Sequence, residues 1–276
     1  MGLQFWRFAV IIFLFHGFCF AEKGMHFNLL KKKNSYINYR HIYVFYKFNF
    51  HHLSNFTIHA APYYTFVKDA TSAPLISYYD YIIVGGGTSG CPLAATLSQN
   101  ATVLLLEKGG SPYENPNITD IGNFATTLLD PSPTSPSQQF ISEDGVYNAR
   151  ARVLGGGSVI NAGFYTRASL RYVREVGWTE SLVNRSYEWV EKKVAHEPPM
   201  LQWQSAVRDG LLEAGVLPYN GFTFDHIYGT KVSGTIFDED GHRHSAADLL
   251  EYADPEKLTV YLRAVVQRIK FTETGT

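Results

Sequence analysis

The stretch YDYIIVGGGTSGCPLAATLSQNATVLLLEKGG, Tyr79 to Gly110, sets two apolar runs on either side of a glycine burst and a small-residue segment. Tyr81 to Val84 reads as a short buried strand, and Gly85, Gly87 and Gly90 follow it at the G-x-G-x-x-G spacing. The three glycines meet three physical needs, namely a tight turn, close approach of backbone to a pyrophosphate, and close packing of helix on strand. Ser89 to Ser98 is then expected to be helical, its first amides aimed at phosphate oxygens. Pro92 is compatible because it falls in the first turn, where no intrahelical N–H bond is required. Thr102 to Leu106 reads as a second strand ended by Glu107, 22 residues after Gly85. That interval suits an acid accepting hydrogen bonds from an adenosine ribose. Its charge would repel a 2′-phosphate, so a 2′-phosphorylated cofactor is disfavoured, while NAD and FAD stay equally open. Strand, glycines, helix, strand and terminal acid in this order point to a dinucleotide-binding α/β unit.

A second glycine run follows in NARARVLGGGSVINAGFYTRA, Asn148 to Ala168. Gly155 to Gly157 leave the backbone open to close approach, and Asn161-Ala162-Gly163 can present main-chain N–H groups. Over Ala151 to Tyr165 this run resembles the first signature of the glucose–methanol–choline (GMC) flavin oxidoreductases. SQQFISEDGVYNARARVLGGGSVINAGFYTRA, GLLEAGVLPYNGFTFDHIYGTKVSGTIFD and GHRHSAADLL extend the resemblance over nearly everything from Tyr79 onward. They look most like the plant HOTHEAD-type branch, with the mandelonitrile lyases a close second. Gly157 leans towards the former, since the lyases usually read Gly-Gly-Thr-Ser at that point.

The resemblance implies FAD as the cofactor and an α/β, Rossmann-type FAD-binding domain of the GMC fold. Carried over motif by motif, it places Gly85, Gly87 and Gly90 with Thr88 and Ser89 at the pyrophosphate, and Glu107 with Lys108 at the adenosine ribose. It places Val153 and Gly157 on the ring side, and Asn161, Ala162, Gly163 and Phe164 around the flavin. Val266, in LRAVVQRI, falls on the strand whose backbone reads adenine in relatives. The resemblance also implies an incomplete domain, with the C-terminal half and most of the substrate domain absent. The histidine base of relatives has no counterpart here, so no catalytic residue is assigned, and no metal ligand either. The implied chemistry is oxidation of an alcohol CH–OH, in that branch of long-chain hydroxy fatty acids. Cleavage of a cyanohydrin is the rival, and a non-catalytic FAD-binding fragment the third reading.

The chain has 276 residues, 45% of them hydrophobic and 18% charged, enough to bury a sizeable core. A net charge of −1 gives no pull towards nucleic acid or an anionic membrane. Arg7 and the apolar Phe8 to Phe20 read as a secretory signal cleaved after Ala21, the apolar run being too short to span a bilayer. N-x-S/T triplets at Asn55, Asn100, Asn117 and Asn184 fit a secreted, cell-wall location. Residues 22–75 form an extension expected to be poorly ordered, basic and rich in aromatics to His52. Such a stretch can stack bases and hold phosphates, but behind a secretory signal no nucleic-acid partner is expected. The domain proper is placed at 76–276, with a helical insert at about 170–250. Asp130 to Gln139 reads as a surface loop, Ser245 as an N-cap, and Leu258 to Phe271 as a β-rich finish. Cys91 is expected to pack against the sheet, and His242 and His244 to be surface or structural.

Overall fold

The computed structural model describes residues 64–113 and 115–271. The signal segment, most of the expected extension and Asn55 lie outside the described residues. In chain order the main elements begin with β1 (Val67–Asp69), β2 (Tyr81–Val84), α1 (Gly90–Leu97), β3 (Val103–Leu106) and α2 (Phe124–Leu129). Then come β4 (Ser137–Ile141), β5 (Tyr147–Ala151), the single-turn α3 (Gly157–Ile160), β6 (Phe164–Tyr165), α4 (Leu170–Glu175), α5 (Glu180–Val194) and α6 (Gln202–Glu213). The chain closes through β7 (Tyr219–Phe222), β8 (Thr230–Val232), β9 (Gly234–Thr235), a 3-10 segment (Ala246–Tyr252) and β10 (Leu258–Leu262).

A parallel sheet ordered β1-β10-β3-β2 carries the α/β core. Its central strands read as continuous apolar runs because both of their faces are covered. Val103, Leu105 and Val260 are fully buried. The helix α1 offers a face of small residues, Gly90, Cys91, Ala94 and Ala95, which lets it lie close to Ala247 and Leu250 of the 3-10 segment. That segment starts where the sequence places it. Ser245 caps it, and Asp248 returns the bond to the Ser245 amide in a capping box. Truncating Leu105 in such a core costs about 2–5 kcal/mol.

Several expectations change. β2 forms, but it is not buried: it is the edge strand, with Tyr81, Ile82 and Val84 exposed and only Ile83 turned to the core. The domain begins before residue 76. β1 pairs with β10, the Val260 amide donates to the Phe66 carbonyl at 2.9 Å, and Phe66 is buried. The α-helices of the insert end at Glu213. Beyond it lie β7 and β8, a parallel pair, and β9, which pairs with β6. The loop at Asp130 to Gln139 becomes strand from Ser137 onward, the first arm of a hairpin that turns at Gly145.

Candidate functional site

The two glycine runs meet. The amide of Gly155 donates to the carbonyl of Gly86 at 2.7 Å. A side chain on Gly155 is strained, with φ +94° and a Cβ 2.6 Å from Val159 Cγ2, and a Cβ on Gly86 would press on Leu154 Cδ1 at 2.6 Å. At Gly90 a Cβ would lie 2.0 Å from the Gly85 carbonyl oxygen, which is the close helix-on-turn approach the spacing requires. Gly85 itself has φ +99° and faces open space. Beside it is a crevice of about 440 Å³ lined by Val84, Gly85, Gly87, Thr88, Ser89 and Leu93.

Glu107 sits beneath this turn. Its Oε2 accepts from the Gly86 amide at 2.8 Å and its Oε1 from the Gly109 amide at 2.7 Å, so the carboxylate ties the first loop to the end of β3. Burial pushes its carboxyl above the usual carboxylate range, while the amides of Gly109 and Gly86 pull it back. The second run then lies alongside β3's end, with Gly110 bridged to Val153 and the Leu154 amide on the Gly110 carbonyl at 3.0 Å. Lys108 is exposed and donates to Gln138 Oε1 at 3.3 Å.

Two of the expected site residues, Val153 and Val266, are placed differently from their assignment. Glu107 is not one of them: it is a buried strut whose oxygens each hold one main-chain donor and keep a second accepting site. Val153 points its side chain into an apolar cluster with Ile118, Val159 and Ile160 rather than towards open space. Val266 is not on a strand, because β10 stops at Leu262. Arg263 turns the chain with φ 57°, and the amides of Arg263 and Ala264 go to the carbonyls of Gly109 and Glu107 at 2.9 and 2.8 Å. The chain therefore crosses the end of β3 before Val266 is reached.

Gly157, Asn161, Ala162 and Phe164 stand at the exposed edge of the second loop, Phe164 at 82% exposure. Gly163 is buried, with its carbonyl accepting from Ile236 at 2.9 Å and the Phe237 ring filling the place of a Cβ. Sequence reasoning missed Arg243. This buried guanidinium donates from Nε to the Ile118 carbonyl at 3.1 Å, and from Nη1 to the Ser158 carbonyl at 3.2 Å and Asn161 Oδ1 at 3.0 Å. Phe237 stacks beneath it, 4.4 Å from ring centroid to Cζ. The only signal in the sequence was an arginine between two histidines.

His244 is structural, its Nε2 lying 3.2 Å from Asp238 Oδ2 and its ring 4.8 Å from that of His196. None of the described histidines lines the crevice. Cys91 is sealed: its Sγ donates to the Gly86 carbonyl at 3.2 Å, and burial pushes the thiol up to about 12. Among the described residues no cluster of His, Cys, Asp or Glu is placed to hold a metal ion.

The fit of a dinucleotide is tested by the turn. The amides of Gly87, Thr88 and Ser89 donate to no described residue. They precede the eight-residue α1, at the end where its dipole favours an anion. Open space stands over Gly85 and Gly157. These features fit a pyrophosphate.

Comparison with known proteins agrees. Residues 79–210 match the family model for GMC oxidoreductase. The chain is 60% identical over 200 residues to Protein HOTHEAD of Arabidopsis thaliana, covering 72% of this chain and 34% of that protein. It is 52% identical over 201 residues to the sinalpyl alcohol oxidase Nec3 of Nesocodon mauritianus, covering 71% and 36%. It is 47% identical over 225 residues to (R)-mandelonitrile lyase 1 of Prunus dulcis, covering 80% and 40%. The chain thus spans 34% to 40% of the length of these relatives. Pyridoxine 4-oxidase from Mesorbium loti matches with a TM-score of 0.55 at 25% identity, over 70% of this chain and 44% of that one. A mutated formate oxidase from Aspergillus oryzae RIB40 matches with a TM-score of 0.52 at 20% identity, over 67% of this chain and 38% of that one, and speaks for the fold alone.

Proposed function

We propose that this chain, whose residues 79–210 are a GMC oxidoreductase N-terminal domain, binds FAD and serves a HOTHEAD-like flavoprotein that oxidises the CH–OH group of an alcohol. The observation that carries the reading is the Gly155–Gly86 hydrogen bond, which holds the second glycine loop against the first, whose Gly85, Gly87, Thr88 and Ser89 line the crevice. FAD, when bound, supplies an acceptor for the hydride of the alcohol carbon. The residues here bind and orient it. The amides of Gly87, Thr88 and Ser89 face the pyrophosphate, Glu107 keeps the first loop in its bound shape, and the edge from Gly157 to Phe164 lies against the flavin. The alcohol oxidase and lyase names among the relatives support an alcohol or a cyanohydrin as the proposed substrate, with long-chain hydroxy fatty acids the class nearest the HOTHEAD-type branch. Secretion is part of the same proposal and rests on the first 21 residues. No helix among the described residues is long and apolar enough to cross a membrane.

The test is to purify the 276-residue chain and titrate it with FAD and, separately, with NAD. A yellow, stoichiometric FAD complex that survives gel filtration is expected, with no retention of NAD. Failure to retain FAD would refute the reading. Anaerobic bleaching of the complex by alcohols, set against cyanide release from mandelonitrile, then separates oxidation from cyanohydrin cleavage. Bound flavin that does neither supports a binding fragment.

A further inference from the structure

We propose that Arg243 is the positioning residue that turns the side-chain amide of Asn161 into a fixed hydrogen-bond donor facing the flavin ring edge. The inference rests on the FAD reading above and adds a residue that the glycine signatures do not contain. An asparagine amide has one accepting oxygen and one donating nitrogen, and which way it lies is decided by its partners. Here Asn161 Oδ1 takes two N–H donors, the Gly163 amide at 3.0 Å and Arg243 Nη1 at 3.0 Å. Nδ2 meets no acceptor among the described residues, and Asn161 stands at the exposed edge of the loop. Flipping the amide would set its NH2 group against a guanidinium and a main-chain N–H, donor on donor. Arg243 therefore holds one orientation, with Nδ2 turned outward to whatever acceptor lies along the loop.

The arginine is an expensive choice for a mere brace. It is 7% exposed, no carboxylate is within ion-pair reach among the described residues, and burial lowers its pKa to about 10, still charged at neutral pH. A buried charge without a counter-ion is costly, and an apolar side chain would fill the same space at lower cost. What only an arginine does there is span three acceptors on two segments, Ile118 on one and Ser158 with Asn161 on the other. The carbonyls of Ile118 and Ser158 and the Asn161 side chain share one planar fork stacked on Phe237. Lysine keeps the charge but loses the fork.

The test is a double-mutant cycle on the 276-residue chain, reading the FAD Kd by flavin fluorescence, the shape of the bound flavin's visible absorption band, and Tm. R243K and N161A are each expected to raise the Kd about tenfold, the scale of one hydrogen bond, and to alter the band in the same way. Because both act through one donor, the double variant stays at about tenfold. N161D, which keeps the Arg243 contact but removes the donor, is expected to hold Tm while weakening FAD, which makes the cycle readable even if R243K folds poorly. A wild-type Kd in R243K, or losses that multiply to about a hundredfold in the double variant, would overturn the proposal. A wild-type chain that takes up no FAD would instead sink the flavoprotein reading and this inference with it.

Discussion

A Cβ on Gly156 would lie 2.6 Å from the Cα of Gly87, and Gly156 has φ +60°. The two signature loops therefore touch backbone to backbone, and neither can move without the other. Gly157, the next residue, has nothing within 4 Å of where a Cβ would stand.

That contrast gives the first prediction. Gly156→Ala meets both a clash and a left-handed backbone, and is expected to cost at least about 2 kcal/mol, visible as a lower urea midpoint. Gly157→Ala should leave the midpoint unchanged and weaken FAD about tenfold or more, because its new methyl enters space the cofactor needs. Equal FAD affinity in Gly157→Ala would remove the second loop from the cofactor site.

The second prediction concerns the strut. Glu107→Ala leaves the amides of Gly86 and Gly109 buried without acceptors, at about 1–3 kcal/mol apiece. Glu107→Gln keeps one acceptor oxygen and should lose roughly half as much. Urea denaturation of both variants measures this. If Glu107→Ala were as stable as the wild type, the bonds at 2.8 and 2.7 Å would not be holding the turn.

How much of this site could be read from the chain follows from what decides each part. Gly85, Gly87 and Gly90 were legible because sterics at a turn restrict the residue type whatever the rest of the fold does. Glu107 was legible by interval, yet its engagement with Gly86 and Gly109 was not, since a spacing does not say which way a carboxylate turns. Arg243 reaches Ile118, Ser158 and Asn161 across 125, 85 and 82 residues of chain. No local pattern encodes such a contact. β1 was missed because three residues, one apolar and two charged, carry no periodicity until β10 is beside them. The end of β10 was missed because Arg263, a residue rarely left-handed, turns the chain to satisfy the carbonyls of Glu107 and Gly109.

A pH dependence follows from His196. Burial, and then the neighbouring His244, lower its pKa from the ordinary 6.5, against the opposing pull of Asp238. The folded state thus prefers the neutral ring, and its contribution is complete above the ordinary value. It is lost as pH falls from about 6.5 through the depressed folded value, because the unfolded chain takes up the proton first. Asp238 contributes in a separate, lower window. Burial would raise it, but the His242 amide and His244 outweigh burial and hold its pKa below 3.8, so that contribution persists until more acidic pH. Tm measured from pH 8 to 5 should therefore fall less steeply in His196→Gln than in the wild type. Parallel curves would mean that His196 is solvated in the folded state.

Cys91 offers a direct check on how tightly the first loop is closed. The thiolate is the reactive form of a cysteine, and a helix N-terminus ordinarily favours it. Cys91 occupies such a place in α1, yet it is fully buried and its proton is engaged with the Gly86 carbonyl. Desolvation outweighs the dipole and pushes the thiol up to about 12. In a Cys19→Ser chain, which leaves Cys91 as the sole thiol, an aromatic disulfide reagent at pH 8 should release no chromophore from native protein and one equivalent after denaturation. Since reaction requires the loop to lift away from α1, its rate in the native state reports the opening of the Gly86–Gly155 contact. Saturating FAD should slow it further if the pyrophosphate is held by the amides of Gly87 to Ser89. Rapid labelling of the native chain, unaffected by FAD, would show that the turn is open, and the cofactor reading would lose its geometric basis.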